Sequence, residues 1–217
     1  MVAVAKVVAV LEKGGGKMKV TIAPEVLPSI ASLAIAASKD KVTPVIMNVA
    51  LRRNGDKLEA YATDRYMVAA GTYEAKLEEW GDDDVMLVPA ELLKRALTTY
   101  KSVKFHGAPV VVSVDGNMVT VTVNGDQVLT EHEPQGFKFP VVWKLFDTEY
   151  PAGVERLLIR PDFIAKLAKI VPPEIRPEKQ PGWHFRFYST ESGKPAPVYA
   201  EYKETMRVLI QPMVDKR

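Results

Sequence analysis

One arrangement of apolar and polar positions is written three times along this chain. A short apolar run meets a proline, an acidic residue follows, and an apolar stripe at helical spacing begins. The copies are Lys19-Val20-Thr21-Ile22-Ala23-Pro24-Glu25, Val85-Met86-Leu87-Val88-Pro89-Ala90-Glu91 and Leu157-Leu158-Ile159-Arg160-Pro161-Asp162. Each is followed by three runs that read as strands. A fixed internal repeat defines architecture before any single motif does. The pattern predicts a βαβββ unit used three times, an α+β chain.

In the first repeat a strand is expected over 19–22 and a helix from Pro24 to about Ser38. Val26, Leu27, Ile30, Ala31, Ala34 and Ala37 form its apolar face. Strands are expected over 44–52, 57–62 and 66–73, with Asn54-Gly55 as the hairpin turn between the first two. In the second repeat a helix beginning near Pro89 turns Leu92, Leu93, Ala96, Leu97 and Tyr100 inward. Lys94, Arg95, Thr98 and Lys101 face outward. Strands are expected over 110–114, 118–123 and 127–131, joined by Asp115-Gly116-Asn117 and Asn124-Gly125. In the third repeat Phe163, Ile164, Leu167, Ala168 and Val171 face inward, and Lys166 and Lys169 outward. A proline-rich loop, 172–181, precedes strands over 183–188, 197–202 and 206–210. An irregular connector, 134–153, separates the second and third repeats. The domains expected are therefore an N-terminal strand and Gly-rich linker (1–17), a complete two-repeat domain (18–140), and the connector with one further repeat (141–217).

Composition narrows the class. The 217 residues are 47% hydrophobic and 26% charged, which supports a packed core and disfavours a disordered chain. With no cysteine, thiolate chemistry, disulfides and Cys-based metal sites are absent. Charged residues and prolines break every apolar stretch well short of a membrane span. The apolar N-terminus is interrupted by Lys6 and lacks a basic leader, so it reads as a first strand over 3–11 and not as a signal peptide. Net charge is +2, so the distribution of charge matters more than its sum.

Residues for catalysis are not assembled. His106, His132 and His184 sit in unrelated repeats with no nucleophile pattern. Gly14-Gly15-Gly16-Lys17 lacks the spacing and hydroxyl of a phosphate-binding loop. Asp82-Asp83-Asp84 could ligate a metal, but it reads better as a solvated loop, and Glu131-His132-Glu133 as a strand end in water. No catalytic residue, metal or cofactor is expected.

Four landmarks in register resemble the bacterial replication sliding clamp, the beta subunit of DNA polymerase III. Ala62-Thr63-Asp64-Arg65-Tyr66-Met67-Val68-Ala69 is similar to the family's "ATDGHRLA" hairpin, with Arg65-Tyr66 in place of Gly-His. Residues 85–97 are similar to the strand and helix containing "VPRKGLIEL". Residues 136–145, Gly-Phe-Lys-Phe-Pro-Val-Val-Trp-Lys-Leu, resemble the interdomain connector "G-x-FPDYxxLIP". Val208-Leu209-Ile210-Gln211-Pro212-Met213 resembles the terminal "YVVMPM", with Gln211 at its first methionine. The landmarks span about residues 18–214.

The resemblance implies a DNA clamp fold and a non-enzymatic role. Such a protein encircles duplex DNA without reading its sequence and tethers a replicative polymerase. Phosphate attraction without base readout requires spaced cations on helices facing DNA; Lys39, Lys41, Lys94, Arg95, Lys101, Lys104, Lys166 and Lys169 are the candidates. The other reading of these residues is the solvated face of amphipathic helices. The resemblance also implies a cleft for short motifs of polymerases and other partners, at Met47, Thr63, Arg65, Tyr66, Met67, Val68, Leu209, Gln211, Pro212 and Met213. Ordinary strand packing at a junction is the alternative there. Family rings contain twelve βαβββ units, so four chains of three would close one. The expected partners are double-stranded DNA, a polymerase, a clamp loader and further copies of the chain. The expected setting is the cytoplasm of a bacterial or phage-infected cell. A clamp-like adaptor that binds replication or transcription proteins without encircling DNA is the rival reading.

Overall fold

Val20 and Ile22 are buried while Lys19 between Met18 and Val20 faces water, the two-residue period of a half-buried strand. That strand, β1 (Met18–Ile22), opens the described chain. The structure is a computed structural model, and it describes residues 17–102, 107–125, 127–132, 138–149, 151, 153, 157–170, 182–190 and 195–213. The expected strand over 3–11, Lys104, His106, Val171 and the proline-rich loop lie outside the described residues.

A short helix follows β1: a 3-10 turn at Pro24–Val26, α1 (Leu27–Leu33) and a second 3-10 turn at Ala34–Ala36. Next come β2 (Asn48–Asn54), β3 (Lys57–Thr63), β4 (Met67–Glu74) and β5 (Lys76–Glu78). The second repeat supplies β6 (Val85–Pro89), α2 (Ala90–Ser102), β7 (Val110–Asp115), β8 (Met118–Val123) and β9 (Gln127–His132). The third supplies α3 (Pro161–Leu167), β10 (His184–Arg186), β11 (Val198–Tyr202) and β12 (Met206–Ile210).

The strands form two antiparallel sheets, β5-β1-β7-β8-β9 and β10-β11-β12-β4-β3-β2-β6. Their order is a reciprocal exchange. The opening strand of the first repeat, β1, pairs with β7 of the second (Met18↔Val114), and β6, opening the second, pairs with β2 of the first (Asn48↔Pro89). The third repeat joins edge to edge. Its β12 lies antiparallel to β4, with Ile210 opposite Met67 and Met206 opposite Gly71. One sheet thus runs unbroken from the first repeat into the third.

The main core lies between the sheets and the helices. It holds Val20, Leu27, Ile30, Leu58, Met67, Leu92, Leu93, Val112, Val121, Phe163, Leu167, Val208 and their neighbours. A second apolar layer covers the other face of the seven-stranded sheet. There Ala50, Tyr61, Val68, Leu87 and Leu209 meet Val45 and Ile46 of a 3-10 turn and Phe139 and Val142 of the connector. Burial on both faces explains why β4 reads Met-Val-Ala-Ala, whereas the more open β8 alternates Val with Thr. Beneath the connector, Glu59 is buried, accepts the Tyr61 hydroxyl at 2.7 Å, and lies near Arg52 and Arg207. Those guanidiniums stack on connector aromatics, Arg52 over Trp143 at 4.7 Å and Arg207 over Phe146 at 4.8 Å.

Several expectations are corrected. Residues 44–47 form a 3-10 turn, because Pro44 presets φ and Asn48 Nδ2 donates to the carbonyls of Pro44 and Val45. Pro89 ends β6, paired opposite Asn48, and the helix begins one residue later. Residues 157–160 join no sheet among the described residues, although the first two repeats open with a strand. Those two opening strands each lie on the triplet of the other repeat, and the third repeat has no such counterpart. Ile164 is 43% exposed, because α3 ends at Leu167 and only Phe163, Leu167 and Ile170 reach the core. Ala168 is exposed for the same reason. The strand expected over 183–188 is confined to β10. Strand β5, unexpected, covers the outer edge of β1. Among the described residues no helix is long and apolar enough to cross a membrane.

Candidate nucleic-acid interface and partner cleft

The amphipathic stripe of α2 buries Ala90, Leu92, Leu93 and Ala96, so Glu91, Lys94, Arg95, Thr98 and Lys101 must project outward. Two of the three cations are partly compensated. Lys94 pairs with Glu91 one turn earlier, and Arg95 reaches Glu131 at 2.9 Å and the Thr130 carbonyl at 3.0 Å. All these side chains are solvated, so the pairs are weak and leave the cations available to a polyanion. Lys101 stands in the last turn, beside the negative end of the helix dipole.

The other helices differ from the expectation. Helix α1 packs against α2 but carries no charged side chain, and Lys39 and Lys41 lie in the loop beyond it, both exposed. In the third repeat Lys169 is exposed, just past the end of α3. Lys166 points elsewhere. It pairs with the largely buried Asp64 and lies 5.5 Å from the Phe163 ring, so it ties α3 to the β3–β4 hairpin.

That hairpin is the centre of the second candidate surface. Asp64 Oδ1 accepts the backbone N–H groups of Tyr66 and Met67 at 3.0 and 2.8 Å. The Thr63 hydroxyl donates to the Met67 carbonyl at 2.8 Å and accepts the Arg65 N–H at 3.1 Å. These bonds hold Arg65 at φ 77°, the left-handed region glycine favours. The Arg65 guanidinium bonds the Thr43 hydroxyl and so fastens the 39–43 loop to the hairpin. The C-terminal tail crosses alongside: the Gln211 N–H donates to the Tyr66 carbonyl at 2.7 Å, and the Met213 N–H to the Leu158 carbonyl at 2.8 Å.

Nine of the ten expected cleft residues therefore meet around this hairpin and tail. They do not all line a surface. Met67 and Thr63 are buried, Met67 in the main core, and Val68 and Leu209 lie under the connector layer. Met47 ends the 3-10 turn that Thr43 precedes. Tyr66 and Met213 are exposed, with Arg65 beside Tyr66 at the surface and Gln211 between water and protein. Leu158, Thr43 and Asp64 belong to the same assembly, although sequence reasoning does not single them out. Asp64 carries a local signal, since an aspartate side chain readily bonds the backbone N–H two residues on. Leu158 carries none, since only tertiary pairing brings it there.

No protein-family model and no curated protein matches the chain. Solved structures do. The DNA polymerase III beta subunit of Thermotoga maritima aligns over 92% of this chain with a TM-score of 0.59 and 12% identity. The fold is that of the DNA sliding clamp. The beta sliding clamp of Caulobacter crescentus aligns over 97% of the chain, with a TM-score of 0.58 and 16% identity. The Pseudomonas aeruginosa sliding clamp aligns over 94%, at 0.57 and 13%. The chain spans 65%, 70% and 69% of those three proteins' lengths respectively. The α+β architecture is thus the DNA clamp fold, with two sheets and three helices among the described residues.

Proposed function

We propose that the protein is a sliding clamp, a non-catalytic processivity factor that encircles duplex DNA as a homo-oligomeric ring and tethers a replicative polymerase. The observation that carries this reading is the edge-to-edge union of β4 with β12. It extends one sheet from a reciprocal pair of repeats into a third repeat, while α1, α2 and α3 stay on the side of the main core. Continuing such unions around a circle places sheets outside and helices within. In this reading residues 18–140 are a complete clamp domain and 141–217 the connector and half of another.

Lys94, Arg95, Lys101 and Lys169 supply the phosphate contacts, with Lys104 adjoining α2 in sequence. Such contacts are independent of base sequence and salt-sensitive. The hairpin and C-terminal tail form the partner cleft, where a methionine and a tyrosine suit an adaptable peptide contact. The rival adaptor uses that cleft alone and never encloses DNA.

Retention on DNA separates the two. The protein, placed on nicked circular duplex with a bacterial clamp loader or by incubation at high protein concentration, should persist in moderate salt. It should fall off once the circle is cut. Equal loss from circle and linear fragment would leave the adaptor.

A further inference from the structure

This inference rests on the reading of the hairpin and tail as a partner cleft, and it concerns what the partner must carry. Three apolar side chains are left in water there: Tyr66 at 56% exposure, Leu158 at 47% and Met213 at 43%. The tail's backbone bonds to the Tyr66 and Leu158 carbonyls knit these positions into one stretch of surface. Of three acids close to that stretch, two are paired with cations, and Asp40 keeps its charge between Lys39 and Lys41. Asp64 holds Lys166 and two hairpin N–H groups, Asp162 holds Arg160 at 2.8 Å, and Asp40 Oδ1 accepts the Val42 N–H at 3.0 Å.

The cations are not occupied. Among the described residues neither Arg65, Lys39 nor Lys41 makes an ion pair. The Arg65 guanidinium bonds a neutral hydroxyl, that of Thr43, and this bond aims it along the 39–43 loop that carries both lysines.

We propose that Arg65, with Lys39 and Lys41, forms a basic rim that selects partner segments combining apolar anchors with flanking acidic residues. The anchors lie on Tyr66, Leu158 and Met213, and an aspartate or glutamate of the partner takes the free donors of Arg65 in charge-assisted bonds. Complementary charge at the rim of an interface steers encounter and sets partner choice more than it adds raw affinity. Arg65 is thus a specificity residue, and a duplex nucleic acid is the competing occupant of the same cations.

The test uses the full 217-residue protein and a set of labelled short peptides, each with a pair of leucines flanked by aspartate, asparagine or lysine, read by fluorescence anisotropy. At low salt the aspartate peptide should bind roughly tenfold tighter than the lysine peptide, a preference that shrinks as salt rises. Arg65→Gly, which suits the left-handed backbone and should fold, should cut that preference to about threefold or less, and Arg65→Glu should invert it. Equal binding of all the peptides by the unaltered protein overturns the inference and leaves the cleft reading in place. No binding of any peptide overturns both. Lys39→Ala and Lys41→Ala variants that lose affinity for duplex DNA, with the peptide preference unchanged, would assign the rim to nucleic acid and overturn the inference as well.

Discussion

Gly71 is a glycine because Tyr73 folds its ring back over it. A Cβ at position 71 would lie 2.2 Å from the Tyr73 hydroxyl oxygen and 2.9 Å from Met206 Sδ. The hydroxyl is held there, 3.1 Å from Ser29 Oγ and 3.6 Å from the Met206 sulfur, and its burial drives the phenol far above its ordinary pKa, so it stays neutral. This knot joins α1, β4 and β12, and therefore the first repeat to the third. Gly71→Ala should cost about 1–3 kcal/mol by overpacking, read as a lower urea midpoint with an unchanged slope. Tyr73→Phe should cost about 1 kcal/mol through removal of the hydrogen bond. The double variant should lose less than the sum, because removing the hydroxyl removes the atom the new methyl meets first. Strict additivity would mean that the alanine is accommodated by a different shift. None of this is legible in the sequence, where Gly71 is one glycine in a strand. Arg65 is the opposite case: its place in the hairpin is legible by resemblance, its left-handed backbone is not.

At the scale of elements, period and turn chemistry carry far. The alternation in β7 and β8 and the Asn124-Gly125 turn, both residues at positive φ, are readable because each depends on neighbours in sequence. The misreadings occur where a distant partner decides. Residues 157–160 have a strand's composition and no strand to lie against, while β5, only three residues long, exists because β1 had an open edge to cover. The α2 face is legible by the same periodic logic, and the DNA contact proposed for it can be measured. Replacing Lys94, Arg95, Lys101 and Lys169 with alanine should lower the slope of log affinity against log salt by about 0.9 for each phosphate no longer neutralised. Stability should change by less than about 1 kcal/mol per site, since these side chains are solvated. Lys166→Ala should behave differently, loosening the α3–hairpin link through Asp64 and lowering stability more than any of the four. An unchanged salt slope in the quadruple variant would place DNA on another surface.

For the whole molecule, the decisive fact is which sheet edges remain open. The union of β4 and β12 uses one edge of the first repeat, and the outer strands of the two sheets are β5, β6, β9 and β10. Two of them, β9 and β10, carry apolar side chains where an edge in water would be polar. Val128 on β9 is 57% exposed. On β10, Phe185 lies opposite Ala200, whose side chain enters the main core, so Phe185 points to the core side of the sheet, where it is left part exposed. Phe187 stacks on it with ring centroids 6.3 Å apart. Phe185 and Phe187, 39% and 45% exposed at the end of the sheet, offer an apolar contact to another copy. Two third repeats facing each other across a twofold would rebuild the reciprocal pair that the first two repeats make within one chain. In the proposed ring, four such chains would contribute twelve repeats. The 217-residue protein should therefore run by light scattering as a homo-oligomer, near 96 kDa for four chains of 24.1 kDa. Phe185→Asp with Phe187→Asp should leave the circular dichroism spectrum in place and shift the mass toward that of one or two chains. If the unaltered protein is a monodisperse 24.1 kDa species across micromolar concentrations, the aromatic pair is not an assembly contact, the ring has no means of closing, and the adaptor reading takes its place.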